Sequence, residues 1–163
     1  MTGSRFALLL ALAALAAGCV ENTAPGNDRE AAAESPSPAA EVASAGEALS
    51  GVATALVLPE ILTEPDLRSL PGLGDRCVFR FTRVGYPAFV FGSTTGVIKL
   101  NGRLVPLPAG GDGLYAEGAV TVTVRPLSGE DGGAEDGGQV PAELVLRLQD
   151  APNELGFHGF SEC

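Results

Sequence analysis

The chain has 163 residues, with 20 acidic against 10 basic side chains, a formal net charge of −10, three Cys and a single His. That balance argues against nucleic acid as a partner, because phosphate recognition needs clustered Lys and Arg to displace counterions. The length allows one modest globular domain beside a leader and a linker.

In chain order, Arg5 is followed by twelve almost purely apolar residues, 6–17, and then by Gly18-Cys19. A basic start, a short apolar run and small residues before a cut site predict a secretory signal peptide over 1–18. The run is too short to span a bilayer comfortably, which takes roughly 18 or more apolar residues. Leu15-Ala16-Ala17-Gly18-Cys19 resembles the lipobox of bacterial lipoproteins. The resemblance implies cleavage before Cys19, acylation of its sulfur and new amine, and the lipid bilayer as partner. Val20, in place of Asp, resembles the pattern of outer-membrane sorting in diderm bacteria, so the expected location is the cell envelope, facing the periplasm. An ordinary cut near Ala17, with Cys19 unmodified, is the plain alternative.

The three Cys are Cys19, Cys77 and Cys163. An odd count in a secreted protein points to a reactive thiol or an intermolecular bridge. Lipid on Cys19 would make the count even and leave Cys77 and Cys163 to pair in the oxidising periplasm. Two Cys and one His so far apart lack the usual zinc-ligand spacing.

Residues 19–57 hold the lipidation site and a stretch rich in Ala, Pro and Glu. From 20 to 57 there are six acidic residues, one basic residue and no aromatic one. Such a composition predicts a disordered tether. Residues 58–163 have the character of a folded domain, and every aromatic residue after the signal lies between Phe79 and Phe160.

Thr63-Glu64-Pro65-Asp66 predicts one short helix, with Thr63 as N-cap and carboxylates in the first turn, stopping near Pro71-Gly72. Cys77 to Arg83 alternates as a strand, with Cys77, Phe79 and Phe81 on one face. Phe89-Val90-Phe91 is a second strand. Residues 96–100 and 103–107 flank Asn101-Gly102, the strongest hairpin signal in the chain. Residues 119–127 turn Val120, Val122 and Val124 inward, and 142–148 do the same with Leu144, Leu146 and Leu148. Six or so short strands with one helix predict an all-β, mainly antiparallel fold, a small barrel or sandwich.

No catalytic constellation is visible. His158 is the only candidate base for a hydrolase, and Ser93, Ser128 and Ser161 sit in ordinary turn settings. Glu130, Asp131, Glu135 and Asp136 lie in a repeated Glu-Asp-Gly-Gly segment that offers oxygen ligands to calcium, or simply forms a solvated loop. Arg80 and Lys99, with Arg76, Arg83 and Arg103 nearby, form either a face for an anionic partner or lipid headgroups, or a polar face paired with local carboxylates. The Gly-rich segment 108–113 lacks the lysine and following helix of a phosphate loop, and no cofactor is expected. As part of the loop 108–115 it offers Asp112 and Tyr115 as a docking point for an envelope protein; packing of Tyr115 at a barrel rim is the structural alternative.

Residues 77–82, 95–102 and 154–163, the last ending Gly-Phe-Ser-Glu-Cys, resemble a family of small alphaproteobacterial lipoproteins without assigned function. A more distant similarity links Cys77, Tyr115, Gly118 and Cys163 to membrane-bound inhibitors of C-type lysozyme, which are small β barrels. In those inhibitors Ser-Gly precedes the pair ending in Tyr, where this chain has Gly111-Asp112 before Gly113. The sequence thus predicts a membrane-anchored, non-enzymatic binding module, with lysozyme inhibition and a hydrolase using His158 as the alternatives.

Overall fold

The computed structural model describes residues 37–71, 76–127 and 138–163. The signal peptide, Cys19, residues 20–36, Ser128 and the four carboxylates proposed for calcium lie outside the described residues. Eight antiparallel strands form a closed barrel in which each strand pairs with its neighbour in sequence and β8 returns to β1. They are β1 (Cys77–Arg80), β2 (Phe89–Phe91), β3 (Thr95–Leu100), β4 (Arg103–Gly111), β5 (Leu114–Glu117), β6 (Val120–Pro126), β7 (Gln139–Leu148) and β8 (Leu155–Glu162).

Alternation decides which residues point inward. Phe79, Phe89, Ile98, Leu100, Val105, Leu107, Val122, Leu144 and Leu146 belong to one buried cluster. Asn101 and Gly102, at φ 49° and 72°, make the expected two-residue turn between β3 and β4. Two glycines permit close approaches inside the wall. A Cβ on Gly96 would enter the ring of Phe89, and one on Gly159 would strike the backbone oxygen of Arg80 across the β8–β1 seam. At that seam Cys77 and Cys163 are disulfide-bonded, 86 residues apart in sequence.

The segment before the barrel corrects the expected boundary at residue 58. Residues 38–57, assigned by composition to the tether, carry α1 (Ala45–Leu49) and a 3-10 turn (Thr54–Leu56), and Ala45, Ala48 and Val57 are buried in the barrel cluster. Composition misjudged this stretch because small Ala side chains need no core of their own when a barrel end is open to receive them. Ser44 and Glu47 cap α1 reciprocally. The Asn101 side chain donates to the Ala48 carbonyl at 2.8 Å, and the Ala45 N–H donates to Glu117 at 2.5 Å. These contacts place α1 at the end of the barrel that holds the β3–β4 and β5–β6 turns. Since strand direction alternates, the β7–β8 connection shares that plugged end, whereas the β1–β2 loop lies along the outer side of β8, with Arg83 over the Phe160 ring and its carbonyl bonded to Gln139 at the start of β7.

The same segment also pairs with β4, where Leu104 donates to Glu41 and accepts from Ala43, both at 2.9 Å. Pro106 and Pro108 have the same strand parity as Leu104. Their missing donors therefore fall on the side of β4 that the short β5 does not reach. The predicted helix is present as α2 (Glu64–Ser69), with a Thr63–Asp66 capping box. It covers the outside of the barrel through a second cluster, in which Leu62, Leu70, Val90, Val97 and Leu104 are buried with Leu67 packed against them.

Candidate functional site

The β4–β5 hairpin turns through Gly111, Asp112 and Gly113, all at positive φ. Asp112 is exposed at its tip. Gly113 is required because a side chain there would meet the Val124 carbonyl oxygen. Tyr115 is not offered to a partner. Its ring packs edge-on against Phe89 and Phe91 inside the wall, and its hydroxyl donates to the Gly92 carbonyl at 2.9 Å. Of the two readings of Tyr115, the packed one holds, since strand alternation turns it inward while Leu114 and Ala116 face out. Burial raises the phenol above its usual pKa near 10.

Arg80 and Lys99 do share the outer side of the sheet, yet carboxylates from other segments meet both charges. Lys99 Nζ is 2.9 Å from Oδ2 of Asp66, which is fully buried under α2. Arg80 Nη1 is 2.6 Å from Oε2 of Glu162, and Arg103 is 2.9 Å from Glu41. Burial alone would raise the Asp66 pKa. Hydrogen bonds from the Ala40 N–H, Lys99, and the N–H and hydroxyl of Thr63 outweigh it and hold the carboxyl at about 2. Of the two readings of this face, Arg80, Lys99 and Arg103 take the one paired with carboxylates. An open cleft of about 380 Å³ between Pro38–Glu41, Lys99 and Asn101–Arg103 is lined by these same paired charges.

His158 stands on the outer side of β8, 78% exposed, with Glu143 at 3.9 Å. That carboxylate also binds Arg125 at 3.1 Å. Ser161 faces the barrel interior. Among the described residues, no group of three or more His, Cys, Asp or Glu is arranged to hold a metal ion.

The family model described as "Domain of unknown function (DUF6692)" matches residues 14–163. The chain belongs to the DUF6692 family. No curated protein and no solved structure matches the chain. The family match takes in Leu15–Cys19, α1 and the whole barrel. Cys77, Cys163, Tyr115 and Gly118 occupy positions the barrel itself requires: the Cys77–Cys163 seam, the inward Tyr115, and Gly118, at φ 52°, in the turn beside Ala45.

One surface feature was not found by sequence reasoning. Several large apolar side chains are exposed on the described surface, led by Val84 and Leu56 at 82% and 74%. Leu58 and Tyr86 are about half exposed. Beside Leu56 an apolar notch of about 170 Å³ is lined by Ala55, Leu146, Leu148, Ala151, Pro152 and Leu155, among others. Leu56 lay within the presumed tether and Val84 and Tyr86 within a turn, so periodicity carried no signal for them.

Proposed function

We propose that this chain is a lipid-anchored protein of the bacterial cell envelope, held by acylated Cys19 and carrying its β barrel as a non-catalytic interaction module. The observation that supports this reading is the pairing of Cys77 with Cys163. It accounts for two of the three cysteines and leaves Cys19 alone at the end of the lipobox-like segment. A bridge of this kind fits an oxidising compartment. The outer membrane is the favoured location, because Val20 rather than Asp follows Cys19. The non-catalytic part draws support from His158, which is 78% exposed and stands 3.9 Å from Glu143, a carboxylate already paired with Arg125.

Cell fractionation of a Cys19→Ala variant tests the anchor. The variant should accumulate uncut or as soluble protein, and mature Cys19→Ala protein still pelleting with membranes refutes lipidation. Capture of envelope proteins by the full mature chain, with purified C-type lysozyme as one bait, tests the interaction role. Turnover of an envelope substrate that is lost in a folded His158→Ala variant would refute the non-catalytic reading.

A further inference from the structure

We propose that the apolar notch beside the β7–β8 turn seats one aliphatic side chain of a protein partner, flanked in that partner by Lys or Arg. The assignment rests on the interaction-module reading and names a face and a partner chemistry for it. Strand β7 ends at Leu148 and β8 begins at Leu155, so residues 149–154 cross the barrel end between them. Leu146 and Leu148, 1% and 2% exposed, form the floor of the notch. Ala151 and Leu155 line it from the turn side, and Ala55 from the 3-10 turn. Its volume of about 170 Å³ is below the roughly 300–1,000 Å³ of small-molecule sites and suits a single branched side chain. Water held there faces mostly carbon and finds few partners, so its release favours an apolar occupant. Leu56, next in the chain after Ala55, is 74% exposed and extends the apolar contact beyond the notch. A small pocket for one anchoring side chain is the usual centre of a protein contact.

Charge decides the chemistry of the partner. Among the described residues, every carboxylate has an ion pair or a side-chain hydrogen bond except Asp112, Asp150 and Glu154. Asp112 is at the tip of the β4–β5 hairpin. Asp150 and Glu154 are both exposed on the β7–β8 turn, each adjacent in sequence to residues that line the notch. Arg147 lies between Leu146 and Leu148, so alternation turns it to the outer face of β7, away from the floor. The mouth is thus an apolar opening flanked by two uncompensated carboxylates. The net charge of −10 adds long-range attraction for a basic partner. An acidic protein would meet the same carboxylates as repulsion.

The full mature chain, made without its lipid and labelled with nitrogen-15, is titrated with three end-blocked peptides: Lys-Lys-Leu-Lys-Lys, Glu-Glu-Leu-Glu-Glu and Lys-Lys-Ser-Lys-Lys. Expected with the first are saturable shifts at the amides of Leu148, Ala151 and Leu155. The other two should bind roughly tenfold more weakly, having lost the charge match or the anchor. Raising salt from about 0.05 M to about 0.5 M should weaken the first severalfold. Ala55→Trp, which covers the notch from an exposed position, should reduce its binding severalfold, and so should the Asp150→Asn, Glu154→Gln double variant. Unchanged amide positions across β3 to β6 report an intact barrel in each. Notch amides unmoved by the first peptide, or an acidic peptide that binds as well, overturn the proposal. Shifts at the notch that grow with protein concentration alone and vanish in Leu56→Ser assign it to a second copy, and overturn it too. An envelope partner captured equally by wild type and Ala55→Trp overturns this face while leaving the interaction-module reading standing. Turnover of an envelope substrate that is lost in folded His158→Ala overturns both.

Discussion

Asp66 and Lys99 meet at 2.9 Å, joining α2 outside the barrel to the turn end of β3. Asp66 also accepts from the Ala40 N–H at 2.7 Å, so one carboxylate ties three chain segments together. The arrangement couples stability to pH. A carboxyl held at about 2, against an ordinary 3.8, contributes stability that is fully present above about 3.8 and is lost as pH falls through about 2. The shift corresponds to about 2 kcal/mol. Urea titrations of the native protein should lose that amount between pH 5 and pH 2. Asp66→Asn should be destabilised at pH 7 by about 3 kcal/mol, because it strands the largely buried Lys99 ammonium, and should show a flatter acid limb. An unchanged acid limb in Asp66→Asn would assign the acid sensitivity to other carboxylates.

The Cys77–Cys163 bridge closes an 86-residue loop and locks the β1–β8 seam. The chain-entropy estimate for such a loop is about 4–5 kcal/mol. Replacing both cysteines by Ser should therefore lower the melting temperature by on the order of 15–20 °C. The comparison needs oxidised wild type and the double variant under the same non-reducing conditions. A loss of only a few degrees means that the seam is held by its strand pairing instead.

The plug makes a separate prediction. Ala48 is buried where α1 closes the barrel, and it has no room for a charged side chain. Ala48→Glu should cost about 3 kcal/mol or more by burying an unpaired carboxylate or expelling the plug. Hydrogen exchange at the barrel-end turns 101–102 and 118–119 should rise in step. Unchanged protection at both turns would show that the barrel end closes without α1.

Much of this fold was legible in sequence. The Asn101-Gly102 turn, the inward Val120 and Val122, the inward Leu144, Leu146 and Leu148, and the Thr63 helix start all express local rules of alternation, turn chemistry and capping. What was missed depends on partners distant in sequence. Strand β8 is interrupted by Gly156 and Gly159, and looks weak until β7 and β1 are placed on either side of it. Strand β5 is four residues long, and only its pairing with β6 reveals it. For the same reason local sequence leaves Tyr115 open between a loop anchor and a packed residue, since its inward direction follows from that pairing. Asp66 was read as a first-turn acid, and nothing local reveals that Lys99, 33 residues later, completes its site.

The packing of Tyr115 supplies the last prediction, because two substitutions separate its ring from its hydroxyl. The ring fills space that Gly96 leaves open beside Phe89, with centroids 5.2 Å apart, and the hydroxyl satisfies Gly92. Tyr115→Ala should cost about 3–5 kcal/mol by opening a cavity in the wall. Tyr115→Phe keeps the ring and should cost about 1–2 kcal/mol, through the unpaired Gly92 carbonyl. Gly96→Val should destabilise strongly, since its side chain competes with Phe89 for one volume. The phenol adds a pH signature. Its raised pKa means that its share of stability is complete below the ordinary value of 10 and is lost as pH rises through the folded-state value. Wild type should therefore lose stability on the alkaline side more steeply than Tyr115→Phe. Parallel alkaline limbs for the two proteins, measured by denaturant titration from pH 8 to pH 11, would show that ionisation of this buried phenol does not limit the barrel.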